Sequence, residues 1–257
     1  RSWAQGTMEH VVIVHAGAGF HAPAAEPAYL AACRRACIAA REALQDGPLA
    51  AAREAVAVLE DDPCCNAGRG SNLNLDGAVE CDASAMDSST GAWGGVAAVP
   101  GVRNPVRAAS LLAAEQRVPL SHGRVRPMLL CGEGARRYCA ASLGDGSTPL
   151  GSDGLVTAEA QRRWKRYSDW LETDSGRDGE EVGGRRADGE VDASHLSDTV
   201  GAVVIDGGLR VAAAVSSGGH WLKYPGRVGE AACFGAGCWA EKRRAGGSGG
   251  GGGGVPP

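Results

Sequence analysis

The chain has 257 residues, 44% of them hydrophobic, and a formal net charge of −4, enough for one sizeable core or at most two small ones. With charge so near balance, neither direct nucleic acid nor a membrane surface is expected as a partner, and no apolar run approaches the roughly 20 residues a membrane span needs. Nine cysteines, odd in number and without a CxxC pair, fit neither a disulfide scaffold nor a zinc site, so reduced, mostly buried thiols and no metal or other cofactor are expected.

The first residues, RSWAQGTMEH, show no signal-peptide pattern and do not begin with Met. Residues 10–15 (HVVIVH) predict a short buried strand that runs into a glycine turn at Ala16-Gly17-Ala18-Gly19. An Ala-rich helix is expected from about Glu26 to Gln45, with Leu30, Cys33, Cys37 and Leu44 at near-helical spacing and Asp46-Gly47-Pro48 as its stop. A second helix over about 49–60 ends before Asp61-Asp62-Pro63, and a Gly/Asn-rich loop follows from Asn66 to Asn74. Val79–Met86 and Gly94–Val99 read as strands, with a helix at about 105–115. A further helix at about 158–171 precedes residues 172–194, which are so rich in Gly, Asp, Glu and Arg that a mobile tract is expected. Arg162-Arg163-Trp164-Lys165-Arg166 with Arg185-Arg186 reads either as a two-part nuclear localisation signal or as an ordinary solvated basic face. Nucleus and cytoplasm are the expected compartments.

Order resumes at Thr199. TVGAVVI and LRVAAAVSS flank Asp206-Gly207-Gly208, a strong hairpin signal. The first of these strands is apolar or small on both faces, which calls for layers on both sides. A two- or three-residue loop near Gly208 places Thr199 opposite a residue between Val215 and Ser217, so a hydroxyl of the Ser216-Ser217 pair is expected beside it. The last stretch, GGSGGGGGGVPP, is low-complexity. The expected division is 1–198 as one region, 199–241 as the start of a second, and 242–257 as a tail.

A threonine at a strand start after a floppy linker suits one mechanism. If the bond before it is cut, a single residue carries both a hydroxyl nucleophile and a free α-amine, whose pKa of about 7.7–8.0 lets it serve as base near neutral pH. None of the six histidines sits in a Ser/His/Asp pattern. Gly17-Ala18-Gly19-Phe20-His21-Ala22 fits the GxGxxG/A fingerprint, yet the stretch that should be an acid-terminated strand reads as helix, which argues against a nucleotide site. His15 reads as a wall residue rather than a base, and Asp82 and Asp87 are too isolated to form an acid–base pair. The Asn66–Asn74 loop is either a tight turn needing Gly68 and Gly70 or a cradle of carbonyls for a cation.

HAGAG (His15–Gly19), NAGRGSNLN (Asn66–Asn74), ECDASAMD (Glu80–Asp87), DTVGAVV (Asp198–Val204), VSSGG (Val215–Gly219) and KYPGRVGEAA (Lys223–Ala232) occur in this order. Together they resemble the plant-type asparaginase/isoaspartyl peptidase family, and most closely its protease branch, threonine aspartase. The resemblance covers roughly residues 10–145 and 196–241. It implies an α/β fold, a four-layer αββα sandwich of the N-terminal-nucleophile hydrolase type, cut at Asp198–Thr199 into subunits that pair as α/β heterodimers and then as a dimer of heterodimers. Thr199 matches the nucleophile, Ser217 the second hydroxyl facing it, and Asn66 an asparagine close by. Arg227 matches the arginine that holds the substrate carboxylate, with Gly219 and Glu230 beside it in the substrate-binding set.

Asparaginases typically have Gly before the cut, and Asp198 stands there in this chain. The resemblance therefore implies an endopeptidase that cleaves after aspartate in nuclear regulatory proteins and recognises its own Asp198 through Arg227, a bidentate carboxylate contact. The alternative is an asparaginase or isoaspartyl peptidase. Glu230 favours it, because asparaginases carry an Asp there for the free amine of the substrate. A third reading is an inactive fragment or isoform that only associates with a complete protomer. In that reading the C-terminal part of the β subunit is missing, because KRRAGG and a glycine run stand where the family continues with an oxyanion-binding turn. Little turnover is then expected.

Overall fold

The structure, a computed structural model, describes residues 10–18, 23–144, 154–174 and 199–242. The expected mobile tract, Asp198, Gly19, the Arg185-Arg186 pair and the glycine tail lie outside the described residues, apart from 172–174, which complete a helix. One six-stranded sheet has the order β1-β5-β6-β2-β3-β4. Its strands are β1 (Val11–His15), β2 (Glu80–Asp87), β3 (Ala92–Pro100), β4 (Leu129–Cys131), β5 (Val200–Ile205) and β6 (Val211–Ser217). Neighbours run antiparallel except β3 and β4, which are parallel.

Helices α1 (Glu26–Ala43), α2 (Pro48–Asp61), α3 (Pro105–Glu115) and α4 (Gly132–Ser142) cover one face of the sheet. Alternation along the strands decides what they cover: Val200, Ala202 and Val204 of β5, with Ala212 and Ala214 of β6, point into this core. Prolines open α2 and α3, where a missing N–H and a fixed φ cost nothing. The sequence places α1 well but not its buried stripe. Ala32, Ala36 and Ala40 are fully buried whereas Leu30 is 50% exposed. Small residues at four-residue spacing, with Ala51, Ala52 and Ala55 of α2 also buried, let α1 and α2 approach closely. The short β4 and α4 escape the sequence reading because three strand residues show no periodicity and two glycines lower helix propensity over 132–134.

β1 corrects a second expectation. It is an edge strand, not a buried one: Val12 and Val14 pack on the helical core, while Val11 and Ile13 are exposed on the far face. That face is apolar only in part, with Met86, Trp93, Ala213 and Ala240 forming a small cluster and Val203 half-exposed. Trp93, Phe234 and Trp239 meet edge to face beside it. Thus the two-sided cover expected for β5 is complete on the helical side alone among the described residues. All nine cysteines are unpaired. Three of them, Cys65, Cys81 and Cys139, are fully buried, but Cys131 and Cys233 are exposed, so the expectation of mostly buried thiols does not hold.

Candidate active site

The hairpin brings the hydroxyls together. Asp206 takes the turn: its Oδ1 accepts from the Gly208 and Arg210 backbone N–H groups, 2.9 Å each, and Leu209 adopts φ 60° to close a three-residue loop. The ladder that follows pairs Val200 with Ser216. Thr199 thereby falls beside Ser217, on the face away from the helices. Its Oγ1 donates within reach of two acceptors, Ser217 Oγ at 3.2 Å and Glu230 Oε1 at 2.7 Å. On the other side of β6, Asp82 pairs with Ser217. Asp82, Ser217 and Thr199 therefore form one row across β2, β6 and β5.

Asp82 is fully buried and structural. Its Oδ1 accepts from the Ala98 N–H at 2.8 Å and its Oδ2 from the Gly229 N–H at 2.7 Å. Burial pushes its pKa up, against those two backbone bonds and the nearby Lys223 ammonium. The bond to Gly229 fixes the backbone from which Arg227 and Glu230 project. Glu230 opens a short 3-10 turn through Ala232, anchored by buried Ala231 and Ala232.

Asn66 and Asn72 hold the opposite wall. Both side-chain amides donate to the Gly219 carbonyl at 2.9 Å, and Asn66 Oδ1 accepts from the Asn72 N–H at 2.8 Å. The Gly219 N–H in turn donates to Ser217 Oγ at 3.0 Å. Asn66 is thus linked to Thr199 through Gly219 and Ser217 rather than by its own contact. The Asn66–Asn74 loop is a tight turn, with Gly68 at φ 51° and Gly70 at φ 102° against the carbonyls of Glu60 and Pro63. No cluster of His, Cys, Asp or Glu suited to a metal ion occurs among the described residues.

Two cations converge on Gly219. A Cβ there would lie 3.2 Å from Lys223 Nζ and 3.5 Å from Arg227 Nη1. Lys223 is buried and committed, its Nζ donating to the Glu80 carbonyl at 2.6 Å. The Arg227 guanidinium has no hydrogen bond or ion pair among the described residues, which leaves its fork open toward the site. Gly218 has even less room: a Cβ would sit 2.5 Å from Asn66 Oδ1 and 2.5 Å from the Ser71 side chain. Gly218→Ala is accordingly expected to cost about 1–3 kcal/mol of stability and to displace Asn66. Urea unfolding of the variant beside the unmodified chain measures the first effect.

Two groups near Thr199 were not legible as such. His15, the last residue of β1, pairs with Gly201 of β5, where a Cβ would fall 2.4 Å from its Nε2. It also hydrogen-bonds the Thr199 backbone, and burial still holds its imidazole below the ordinary value. The HAGAG block was the available signal, but nothing in it indicates contact with a residue 184 positions away. The helix α5 (Ala158–Asp174) is the other. Arg163 Nη1 donates to Asn72 Oδ1 at 3.3 Å, Trp164 Nε1 to the Asn74 carbonyl at 2.9 Å, and Tyr167 stacks on Trp221 at 4.3 Å. Part of the basic run therefore faces the site loops rather than solvent.

A hydroxyl at the start of an inner strand, faced by a second hydroxyl and flanked by an arginine and a carboxylate at the end of an α/β sheet, is the layout of an N-terminal-nucleophile hydrolase. The comparison with protein families agrees: residues 8–255 match the asparaginase family, and the chain belongs to it. Its αββα sandwich is the fold here, of which the described residues build one helical layer and one sheet. An isoaspartyl peptidase/L-asparaginase of Xenopus laevis is 34% identical over 91% of this chain and 67% of its own length. The protein of the same name in Danio rerio is 35% identical over 92% and 68%. A plant-type L-asparaginase of Pyrococcus abyssi is 35% identical over 90% and 70%.

These relatives overturn the expectation of an Asp-specific endopeptidase acting on nuclear proteins, since they bear asparaginase and isoaspartyl peptidase names rather than that of the threonine aspartase branch. Asp198 alone points to the endopeptidase, whereas the carboxylate of Glu230, which suits a substrate with a free amine, is bonded to the Thr199 hydroxyl.

Proposed function

We propose that this chain hydrolyses β-aspartyl amides, the side-chain amide of L-asparagine and the isoaspartyl bond of short peptides, with Thr199 as the nucleophile after cleavage of Asp198–Thr199. One observation carries the reading: the Glu230 carboxylate accepts from the Thr199 hydroxyl, and the Arg227 guanidinium, without a partner among the described residues, lies beside Gly219, whose N–H bonds Ser217 next to Thr199. Both substrates present an α-carboxylate and, at a free N-terminus, an α-ammonium on Cα, one methylene away from the reacting side-chain carbonyl. A site with one cation and one anion beside the nucleophile matches that pair. A mid-chain aspartate has the carboxylate but no ammonium, and would leave Glu230 facing a neutral amide at a desolvation cost.

In the reaction, the freed α-amine of Thr199 takes the hydroxyl proton, and Oγ1 attacks the β-carbonyl. Ammonia or the amino component of the peptide leaves, and water then releases aspartate from the ester on Thr199. Ser217, held by the Gly219 N–H, keeps the nucleophile oriented, and Asn66 with Asn72 keeps Gly219 in place.

The test is competition between substrate classes: ammonia release from L-asparagine and cleavage of β-aspartyl dipeptides, against an Asp–X peptide blocked at its N-terminus. Faster cleavage of the blocked peptide would sink the reading. Within it, Arg227→Ala should raise KM for L-asparagine by about 10–100-fold, the equivalent of one charge-assisted hydrogen-bonded pair, with a smaller change in kcat. Initial-rate kinetics on the variant check this split.

A further inference from the structure

The 2.7 Å contact between Thr199 and Glu230 bears on a step that precedes turnover. In the intact chain the Thr199 nitrogen belongs to a peptide bond, its lone pair delocalised into the preceding carbonyl. The amine that serves as base after cleavage therefore does not yet exist, while the Thr199 hydroxyl must still lose its proton to attack.

Four neighbours compete for that proton. Ser217 Oγ is 3.2 Å away, but it is a neutral hydroxyl already accepting from the Gly219 N–H and cannot hold another proton. Asp82 has both carboxylate oxygens engaged by backbone N–H groups beneath the site. His15 hydrogen-bonds the Thr199 backbone rather than the hydroxyl. Among the described residues Glu230 is the one carboxylate bonded to Oγ1, and its backbone is held in place by the Asp82–Gly229 bond and by the buried Ala231 and Ala232.

From this geometry we infer that Glu230 is the catalytic base of self-cleavage, in addition to any contact it makes with substrate. Its carboxylate takes the Oγ1 proton as Oγ1 bonds to the carbonyl carbon of residue 198. The resulting carboxyl group returns that proton to the Thr199 nitrogen as the C–N bond breaks. An ester between residue 198 and Thr199 Oγ1 remains. One water then hydrolyses it to a carboxylic acid at residue 198 and a free hydroxyl and amine on Thr199. No other reactant is needed. A glutamate suits the task through its reach, since Oε1 contacts the nucleophile directly from a backbone that is pinned elsewhere.

The inference rests on the reading of Thr199 as a self-liberated nucleophile, and one experiment separates the two. Intact mass follows the 257-residue chain with time as the unmodified protein, Thr199→Ala, His15→Gln, Glu230→Gln, Glu230→Asp, and Glu230→Ala with and without formate. Cleavage of the unmodified chain at 198/199 is expected, with Glu230→Gln slowed by about 10²–10⁴-fold, the usual contribution of a positioned base. Glu230→Asp should fall between, and formate should restore part of the rate to Glu230→Ala. Rescue by a small carboxylate is not produced by a merely structural role, and thermal unfolding by circular dichroism identifies any variant that is not folded.

Glu230→Gln cleaving as fast as the unmodified chain overturns Glu230 as base while leaving the nucleophile in place. Loss of cleavage in His15→Gln with normal cleavage in Glu230→Gln overturns it in favour of the imidazole. A folded Glu230→Ala that formate does not accelerate also counts against it. An unmodified chain that stays as whole as Thr199→Ala removes the reading of Thr199 itself, and the inference with it.

Discussion

Thr199→Ala should leave the chain uncut and devoid of β-aspartyl hydrolysis, a fall of at least about 10⁴-fold where the unmodified chain turns over. The size follows from how much chemistry sits in one residue. Removing the Oγ takes away the nucleophile of turnover, and with it the attack that would release the α-amine serving as base. Ser217 is no substitute: its Oγ accepts from the Gly219 N–H, and its nitrogen lies inside β6, where it never becomes an amine. Thr199→Ser keeps hydroxyl and amine but drops the methyl that restricts χ1, so it should cleave and turn over, more slowly than the unmodified chain. Intact mass reports the cut and ammonia release the turnover. Appreciable hydrolysis by uncut Thr199→Ala would move the nucleophile elsewhere.

The second large effect concerns stability, at a group behind the site. Glu60, in α2, is fully buried beneath Ser216. Its Oε1 accepts from the Val106 N–H at 3.0 Å, and its Oε2 has no bond of ordinary geometry. Burial pushes its pKa from 4.5 up to about 8, despite pulls in the other direction from Ser216, Val106 and Asn104. The folded protein therefore keeps this proton up to about pH 8, whereas the unfolded chain releases it near 4.5. Between those values Glu60 holds more proton in the native state than in the unfolded one, so its contribution to stability falls as pH rises. Across the window the loss is on the order of 5 kcal/mol at about 1.4 kcal/mol per pH unit.

Glu60→Gln carries a neutral isostere that accepts from Val106 and donates toward Ser216 at every pH. The variant should match the parent near pH 4 and exceed it by several kcal/mol at pH 8. Urea unfolding followed by tryptophan fluorescence from pH 4.5 to 8.5 measures the difference. A gap that does not widen with pH would mean that Glu60 ionises near its ordinary value. Glu60 also bears on the site, because its carbonyl accepts from the Arg69 N–H at 2.7 Å and the same turn of α2 thereby holds the Asn66–Asn74 loop.

What could be determined from the sequence by itself was local or covalent. The Asp206-Gly207-Gly208 turn marks a hairpin because an aspartate can bond the N–H groups of its own turn, as Asp206 Oδ1 does with Gly208 and Arg210, although the left-handed position falls on Leu209 rather than on a glycine. A hairpin in turn obliges its two arms to lie side by side, so Thr199 had to fall near Ser216 and Ser217. Proline and glycine punctuation likewise marked α2 and α3 to within about a residue. The ordered blocks from HAGAG to KYPGRVGEAA were enough for the family, while the single residue Asp198 pointed to the wrong branch of it.

Tertiary structure decided whatever depends on partners distant in the chain. Asp82 looks isolated until β2 pairs with β6, which puts it in the row with Ser217 and Thr199 and hands it the Gly229 N–H. Glu60 belongs to an amphipathic helix by pattern, and only the sheet laid over it makes its carboxyl a buried one. The stripe on α1 proved to be alanines instead of the larger Leu30, because the limiting quantity was the distance between two helices rather than hydrophobicity. Glu230 reaches the Thr199 hydroxyl for the same kind of reason. Its position comes from where a buried turn fixes its backbone, and long-range pairing of that sort leaves no periodic trace in the neighbouring residues.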